Sequence, residues 1–556
     1  MYFLKRASAV GACLFAISYP VQAAIDFGLH QGCAATSSDF RVVKLATAPG
    51  PTKMDFDARE NNAVDVYFIQ KTGEFRKYDG ATKQIVEVGK LAVPTGSEDG
   101  LIGIALDPKF KTNQMVFLMY SFEGGDESTF RIARFKLADG KLDLASEKII
   151  LKINSKRAQW HTSGSMQFDA YGDLWVAIGD NEKIEQGPAN TADLRGGIIR
   201  IHPDDSQKGY SIPKGNFGEF FASKFRAAGN EALAKEYENP AMVLPEIYVK
   251  GTRNAYTISL DPVRRWLTWG DVGPDQGKIS EEYNLVKSPV YAGWPYFSGE
   301  QDMGGVSPYG TNIPSGLSRK NPLNGPNVPG VKQLPEVREP IFVREQACAM
   351  TGPILRYNGE STSPIQFPPH LNRSWVISGC DKNFGFRLMG LNAAGEAVTK
   401  NDIVFEFASS DALVDLKQGP DGAMYYISYA APGEAIYGSA RPVGGSINRI
   451  EYTGSCKDPN LLLEKPTNSG TYVHGYQRGV DTKSLYSISQ NRIETLISGN
   501  HEFEIVTMQG KVIWHKQGSG NQKYSLGHIP GKTLYVLRFT SGNHATSQIF
   551  YQNENE

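Results

Sequence analysis

The chain has 556 residues, of which 40% are hydrophobic and 11% aromatic, with 58 glycines and a formal net charge of −1. This length exceeds one small core, so a large domain with at least one smaller companion is expected. Near-neutral charge excludes the basic footprint of a nucleic-acid binder and gives no reason to invoke an anionic membrane surface. Abundant Gly, Tyr and Phe with few long apolar runs indicate a large all-β protein.

At the N-terminus, Lys5 and Arg6 precede an apolar stretch from Ala7 to Ile17 and then Tyr19-Pro20-Val21-Gln22-Ala23-Ala24. Basic, apolar and small residues in that order describe a secretory signal, residues 1–24, cleaved after Ala23 or Ala24. The apolar stretch is too short to span a bilayer, and no other membrane-spanning candidate follows. Val10-Gly11-Ala12-Cys13 faintly resembles a lipoprotein cleavage box, but it leaves almost no apolar region before it. The expectation is an exported protein, periplasmic, extracellular or at the cell surface. Cleavage removes Cys13 and leaves Cys33, Cys348, Cys380 and Cys456. An even count in an exported chain reads as disulfides with three connectivities, and no CxxC pair signals zinc or redox chemistry.

Short strand-like runs then recur between turn signals: Val64–Gln70, Met115–Tyr120, Asp173–Ile178, Trp266–Gly270, Trp375–Gly379 and Ala423–Tyr429. Several follow an Asp/Gly turn, as in Tyr171-Gly172-Asp173 and Pro420-Asp421-Gly422. Six such units separated by irregular insertions predict a six-bladed β-propeller over residues 25–457. A propeller must join its first and last blades or leave two sheet edges open. Phe40–Ala46 is expected to complete the last blade beside Ser446–Tyr452. Cys33 and Cys456 flank these two strands, so the preferred pairs are Cys33–Cys456 and Cys348–Cys380. Closing so long a loop restricts the unfolded chain by on the order of 4–5 kcal/mol in the entropic model. Residues 205–240 are helix-compatible and read as an excursion from one blade, and the Gly/Pro/Asn-rich stretch Gly299–Gly330 is too long for a hairpin.

Composition shifts after Cys456. Alternating segments such as Phe503-Glu504-Ile505-Val506-Thr507 and Thr533–Phe539 predict a small C-terminal β-sandwich over 468–556. Its Gly-Lys turns and following strands resemble the C-terminal sorting domains of type IX-secreted bacterial proteins, which would make the secretion machinery a partner. A carbohydrate-binding or structural module fits the same pattern.

Four stretches carry chemistry: Glu98-Asp99-Gly100-Leu101-Ile102-Gly103-Ile104-Ala105-Leu106-Asp107-Pro108; His161-Thr162-Ser163-Gly164 with Ile178-Gly179-Asp180; Gly251-Thr252-Arg253-Asn254; and Asp271-Val272-Gly273-Pro274-Asp275 with Glu281-Glu282-Tyr283-Asn284 and Gly293-Trp294-Pro295. In this order and spacing they resemble the glucose/sorbosone dehydrogenase family of quinoprotein propellers, over residues of about 40 to 455. The resemblance implies a dehydrogenase that oxidises a sugar at a C1-type hydroxyl with pyrroloquinoline quinone and Ca²⁺.

By the same resemblance His161 is the general base, a role that suits an imidazole because its ordinary pKa lies near working pH. Arg253 and Asn254 face the quinone oxygens, where a guanidinium stabilises the charge that builds on hydride transfer. Glu98 stands where some relatives carry a cofactor-binding Gln, and Lys382 where a lysine meets the cofactor's carboxylates. The carbonyls of Gly273 and Pro274 are the expected calcium ligands, since a hard cation accepts backbone oxygen readily.

The sequence departs from the pattern in two places. Ser165 replaces an Arg common after the His motif, and Ala412, Leu413 and Val414 stand before Asp415 where glucose-oxidising members carry arginines. A tricarboxylate without those cations is held less tightly, so two other readings stay open: a non-enzymatic propeller that binds carbohydrate or protein, and a calcium-dependent lactonase. No CxxCH haem motif is present, so electrons are expected to leave to an external acceptor.

Overall fold

A computed structural model describes residues 37–182, most of 187–457 and the strands between 486 and 552. Six sheets, antiparallel except for one outer strand of the third, follow one another along the chain as the blades of a propeller. Blade 1 is Pro51–Ala58, Val64–Gln70, Glu74–Tyr78 and Ile85–Lys90, and blade 2 runs from Leu101–Leu106 out to Lys141–Asn154. Blades 3, 4 and 5 start at Ser163–Phe168, Thr257–Leu260 and Ala349–Ile354, and blade 6 at Ala412–Gln418. These first strands are innermost, and successive ones touch around the whole ring.

The six runs read from sequence are the second strand of each blade: Val64–Gln70, Met115–Gly124, Leu174–Ile178, Leu267–Asp271, Ser374–Gly379 and Met424–Tyr429. Each is covered by the blades on both sides. Trp175, Trp269 and Trp375 on three of them are among the largest fully buried side chains. Aspartates in or just before the Asp/Gly turns anchor the strands that follow. Asp169 takes the indole proton of Trp175 at 3.0 Å, and Asp421 takes the hydroxyl of Tyr425 at 2.8 Å.

The ring closes as expected. Phe40–Ala48 pairs antiparallel with Gly445–Tyr452, Phe40 opposite Tyr452, and supplies the fourth strand of blade 6. Arg41 bonds Glu451 across this seam. Cys348 and Cys380 are disulfide-bonded, 32 residues apart. Cys456 is also in a disulfide; its expected partner Cys33 lies outside the described residues, as does the signal segment 1–24.

The helical excursion comprises Phe217–Ala227 and Glu231–Glu238, inserted in blade 3. A second departure from a plain propeller bears on function. Val290–Tyr291 returns from blade 4 to pair in parallel with Ile247–Lys250 of blade 3. This crossover lays Trp294 beside Gly251, whose carbonyl accepts the Trp294 N–H at 3.0 Å. Among the described residues no helix is long and apolar enough to cross a membrane.

Beyond the propeller, strands Val512–Ser519, Asn500–Thr507, Thr533–Ser541 and His544–Gln552 form one sheet in that order. Tyr486–Ser489, Arg492–Thr495 and Lys523–Ser525 form another. Phe503 and Tyr524 join the two sheets with ring centroids 5.8 Å apart.

Candidate active site

In an antiparallel blade, the start of the innermost strand and the end of the second strand lie at the same end of the channel. Glu98, His161 and Arg253-Asn254 precede the innermost strands of blades 2, 3 and 4; Asp180 and Gly273-Pro274 follow the second strands of blades 3 and 4. The topology therefore gathers six of the seven sequence-selected residues at one mouth. Lys382, the seventh, lies outside the described residues.

A run of hydrogen bonds links these loops. The Glu98 carboxylate accepts the Thr162 N–H at 2.8 Å and so ties blade 2 to the loop that carries His161. The Asp180 N–H donates to the Arg253 carbonyl at 2.9 Å. Asp271 accepts the backbone N–H groups of Arg253 and Asn254, the latter at 2.7 Å.

His161 is held in an unusual backbone conformation, φ +64°, in the left-handed region. Such a residue costs of order 1–3 kcal/mol and persists where surrounding contacts impose it. Gly179 allows this, because a Cβ there would lie 2.0 Å from the His161 carbonyl oxygen. Gly164 sits at φ +93° with the Ile102 carbonyl 2.4 Å from where its Cβ would be. The glycines of both motif segments are thus required by close backbone approach.

The His161 ring is buried, and its Nδ1 meets a carboxylate oxygen of Asp180 at 2.6 Å. The other Asp180 oxygen accepts the Trp294 indole N–H at 2.9 Å. Burial alone would raise the Asp180 carboxyl, but His161, Arg253 and Trp294 together outweigh it and hold it below its ordinary value. An ionised Asp180 keeps the Nδ1 proton on His161 and leaves Nε2 as the basic nitrogen; among the described residues Nε2 has no hydrogen-bond partner.

Arg253 is buried. Its Nη1 donates to the Val272 carbonyl at 3.2 Å and its Nη2 to Asp275 at 3.0 Å, while Nε has no partner among the described residues. Burial opposes its charge, but Asp180, Asp275 and Tyr309 more than offset this and raise its pKa. Its guanidinium lies 5.8 Å from the Trp294 ring centre. For Asn254, Ser163 Oγ donates to Oδ1 at 2.8 Å, which turns the amide Nδ2 donor away from that contact.

Below Arg253 is a small cavity of about 10 Å³, lined by Asp271, Gly273, Ser280, Glu282 and Trp294 among others. That is the room of one water. Burial pushes the Glu282 carboxyl up to about 7, and burial with the neighbouring Glu282 pushes Asp271 well up. Gly273 and Pro274 are both buried, and among the described residues neither carbonyl accepts a hydrogen bond. Among the described residues no three His, Cys, Asp or Glu side chains converge as metal ligands.

Residues 53–217 match the glucose/sorbosone dehydrogenase family. The glucose/sorbosone dehydrogenase match spans Glu98, His161 and Asp180 and ends before Arg253. The chain is 23% identical over 347 residues to the aldose sugar dehydrogenase YliI of Escherichia coli, covering 62% of this chain and 78% of that protein. It is 20% identical over 408 residues to quinoprotein glucose dehydrogenase B of Acinetobacter calcoaceticus, covering 68% and 81%. The crystal structure of the soluble E. coli aldose sugar dehydrogenase in its apo form is similar in fold, with a TM-score of 0.53 and 18% identity over 74% of this chain and 99% of that one.

Both departures from the glucose/sorbosone dehydrogenase pattern have a structural account. Ser165 Oγ accepts the Ile258 N–H at 3.1 Å and seals blade 3 to blade 4. Ala412, Leu413 and Val414 are buried on the innermost strand of blade 6. The cation brought to that strand is Lys53 from blade 1, whose Nζ donates to the carbonyls of Val414 at 2.7 Å and Tyr256 at 2.9 Å. Burial pulls its ammonium down to about 8.

Asp180, Trp294 and Ser163 belong to this site although sequence reasoning assigned them no role. All three lie inside the quoted motifs, and Asp180 alone carried a further signal: a carboxylate just after a buried strand, in register with the His loop.

Proposed function

We propose that the chain is a dehydrogenase that oxidises an aldose or related pyranose at its C1 hydroxyl, with pyrroloquinoline quinone and Ca²⁺ as cofactors. The observation that carries this reading is the buried His161–Asp180 pair beside a buried Arg253 whose Nε has no partner among the described residues. An imidazole so held takes the hydroxyl proton on Nε2, and the imidazolium that forms is stabilised by the ionised Asp180 carboxylate. Arg253 Nε and the Asn254 amide supply preorganised donors, which an electron-poor carbonyl group fits and which stabilise negative charge without rearrangement. The quinone, when bound, supplies the acceptor for the hydride that leaves C1. The buried Gly273 and Pro274 carbonyls suit a hard cation completed by waters.

On this reading Arg253 and Asn254 are the donors for the quinone end. On the same reading Lys53 is the cation nearest the strand where glucose-oxidising members carry arginines, and it is already shared between two carbonyls. The buried apolar run Ala412–Val414 is the one observation that favours a propeller that binds sugar without oxidising it. Titration of the apo-protein with quinone plus Ca²⁺, followed by absorbance and by aldose-dependent dye reduction in wild type and His161→Ala, separates the two. Saturable binding with reduction lost in the variant supports the dehydrogenase. No quinone binding at tens of micromolar leaves a binding propeller.

A further inference from the structure

Trp160 is 52% exposed, one residue from the buried His161. It is an uncommon place for an indole, because every neighbour in this loop is tied down. Arg157 Nη1 and the Ala158 N–H bond Asp99 at 2.5 and 2.6 Å. The Gln159 carbonyl accepts the Glu98 N–H at 3.3 Å, and the His161 carbonyl accepts the Asn181 N–H at 3.1 Å. Thr162 donates to Glu98. Ala158, His161 and Ser163 all adopt left-handed backbone, at φ +54°, +64° and +57°. Within this braced loop Trp160 itself makes no hydrogen bond or ring contact among the described residues. A braced backbone therefore holds a large apolar ring in water one residue from the buried His161.

We propose that Trp160 is a sugar-stacking platform for the ring next to the one that is oxidised, so that the site takes reducing-end disaccharides or longer chains in preference to monosaccharides. This rests on the dehydrogenase reading for which ring meets His161. The reacting C1 must reach a recessed nitrogen, so the first ring enters the mouth and the next one lies at the rim. An indole face covers the C–H face of a pyranose and leaves its hydroxyls in water, and an aromatic contact of this kind is worth on the order of tenfold in affinity.

The test uses the full chain with quinone and Ca²⁺, comparing wild type, Trp160→Ala and Trp160→Tyr on glucose, cellobiose and maltose. The expected result is that Trp160→Ala lowers the disaccharide-to-glucose ratio of kcat/KM on the order of tenfold, through KM rather than kcat, and that Trp160→Tyr restores much of it. An equal ratio in wild type and Trp160→Ala overturns the proposal. Saturation-transfer NMR on the apo-protein gives an arm independent of quinone. Transfer to the non-reducing ring that is lost in Trp160→Ala upholds the platform even if no sugar is oxidised, in which case the dehydrogenase reading alone falls. Transfer that is equal in both proteins, or absent from wild type for both disaccharides, overturns the platform.

Discussion

The carboxylate of Asp180 faces two ways: one oxygen lies 2.6 Å from His161 Nδ1 and the other takes the Trp294 indole proton at 2.9 Å. It thereby connects the imidazole of blade 3 to the crossover segment that packs on Arg253. Substituting Asp180→Asn keeps the shape but removes the charge and allows the ring to flip its tautomer. The expected loss in kcat for aldose oxidation is on the order of 10²–10⁴-fold, measured by single-turnover mixing of sugar with the quinone-loaded protein. A loss below about threefold would remove Asp180 from the mechanism.

Ser163 acts one step further out. Its hydroxyl fixes which way the Asn254 amide points, and Ser163→Ala frees that amide to turn. The loss of one buried hydrogen bond is worth about 1 kcal/mol, so quinone affinity in an absorbance titration is expected to fall roughly fivefold. Ser163→Thr retains the hydroxyl and is expected to retain most of the affinity.

A different lysine governs stability against pH. Lys250 is buried, and its Nζ donates to the carbonyls of Asp193 and Arg195 at 2.6 and 2.5 Å. A neutral amine has two protons, enough for both. Burial, only partly offset by Asp193, pulls its pKa down to about 7. Above pH 7 and below its ordinary pKa of 10.5 the unfolded chain holds a proton that the folded chain has released, so unfolding takes up a proton. Stability then rises with pH across that window, by at most about 1.4 kcal/mol per unit. Urea midpoints of wild type and Lys250→Met between pH 7 and 10 test this: the wild type is expected to gain relative to the variant as pH rises. Parallel profiles would show that Lys250 keeps its proton.

The Cys348–Cys380 bridge spans 32 residues from the start of blade 5 to the end of its second strand. The chain-entropy model gives a loss of about 3–4 kcal/mol for Cys348→Ser/Cys380→Ser, to be read from denaturant unfolding against wild type under oxidising conditions.

How far the sequence could be read follows from burial. The second strands stood out because neighbouring blades cover both their faces, so runs such as Leu174–Ile178 are apolar throughout. Outer strands such as Lys141–Asn154 face solvent along most of their length and carry no such signature. At the site, His161 and Arg253 were legible through their motifs. Trp294 was not given a role, because its bond to Asp180 spans 114 residues and depends on the parallel return of Val290–Tyr291. A single strand of two residues leaves no periodicity to read. The contact of Lys53 with Val414, 361 residues on, was hidden for the same reason.

The seam between Phe40–Ala48 and Gly445–Tyr452 has a consequence for biogenesis. Arg41 meets Glu451 410 residues later, so the first strand of the propeller to be synthesised is the last to find its partner. At about 5–20 residues per second that interval is roughly 20–80 s. Until residues 445–452 are available the strand is an unpaired edge, open to pairing with another chain. Ring closure therefore requires the amino-terminal segment to be kept in reserve until the chain up to residue 452 is available.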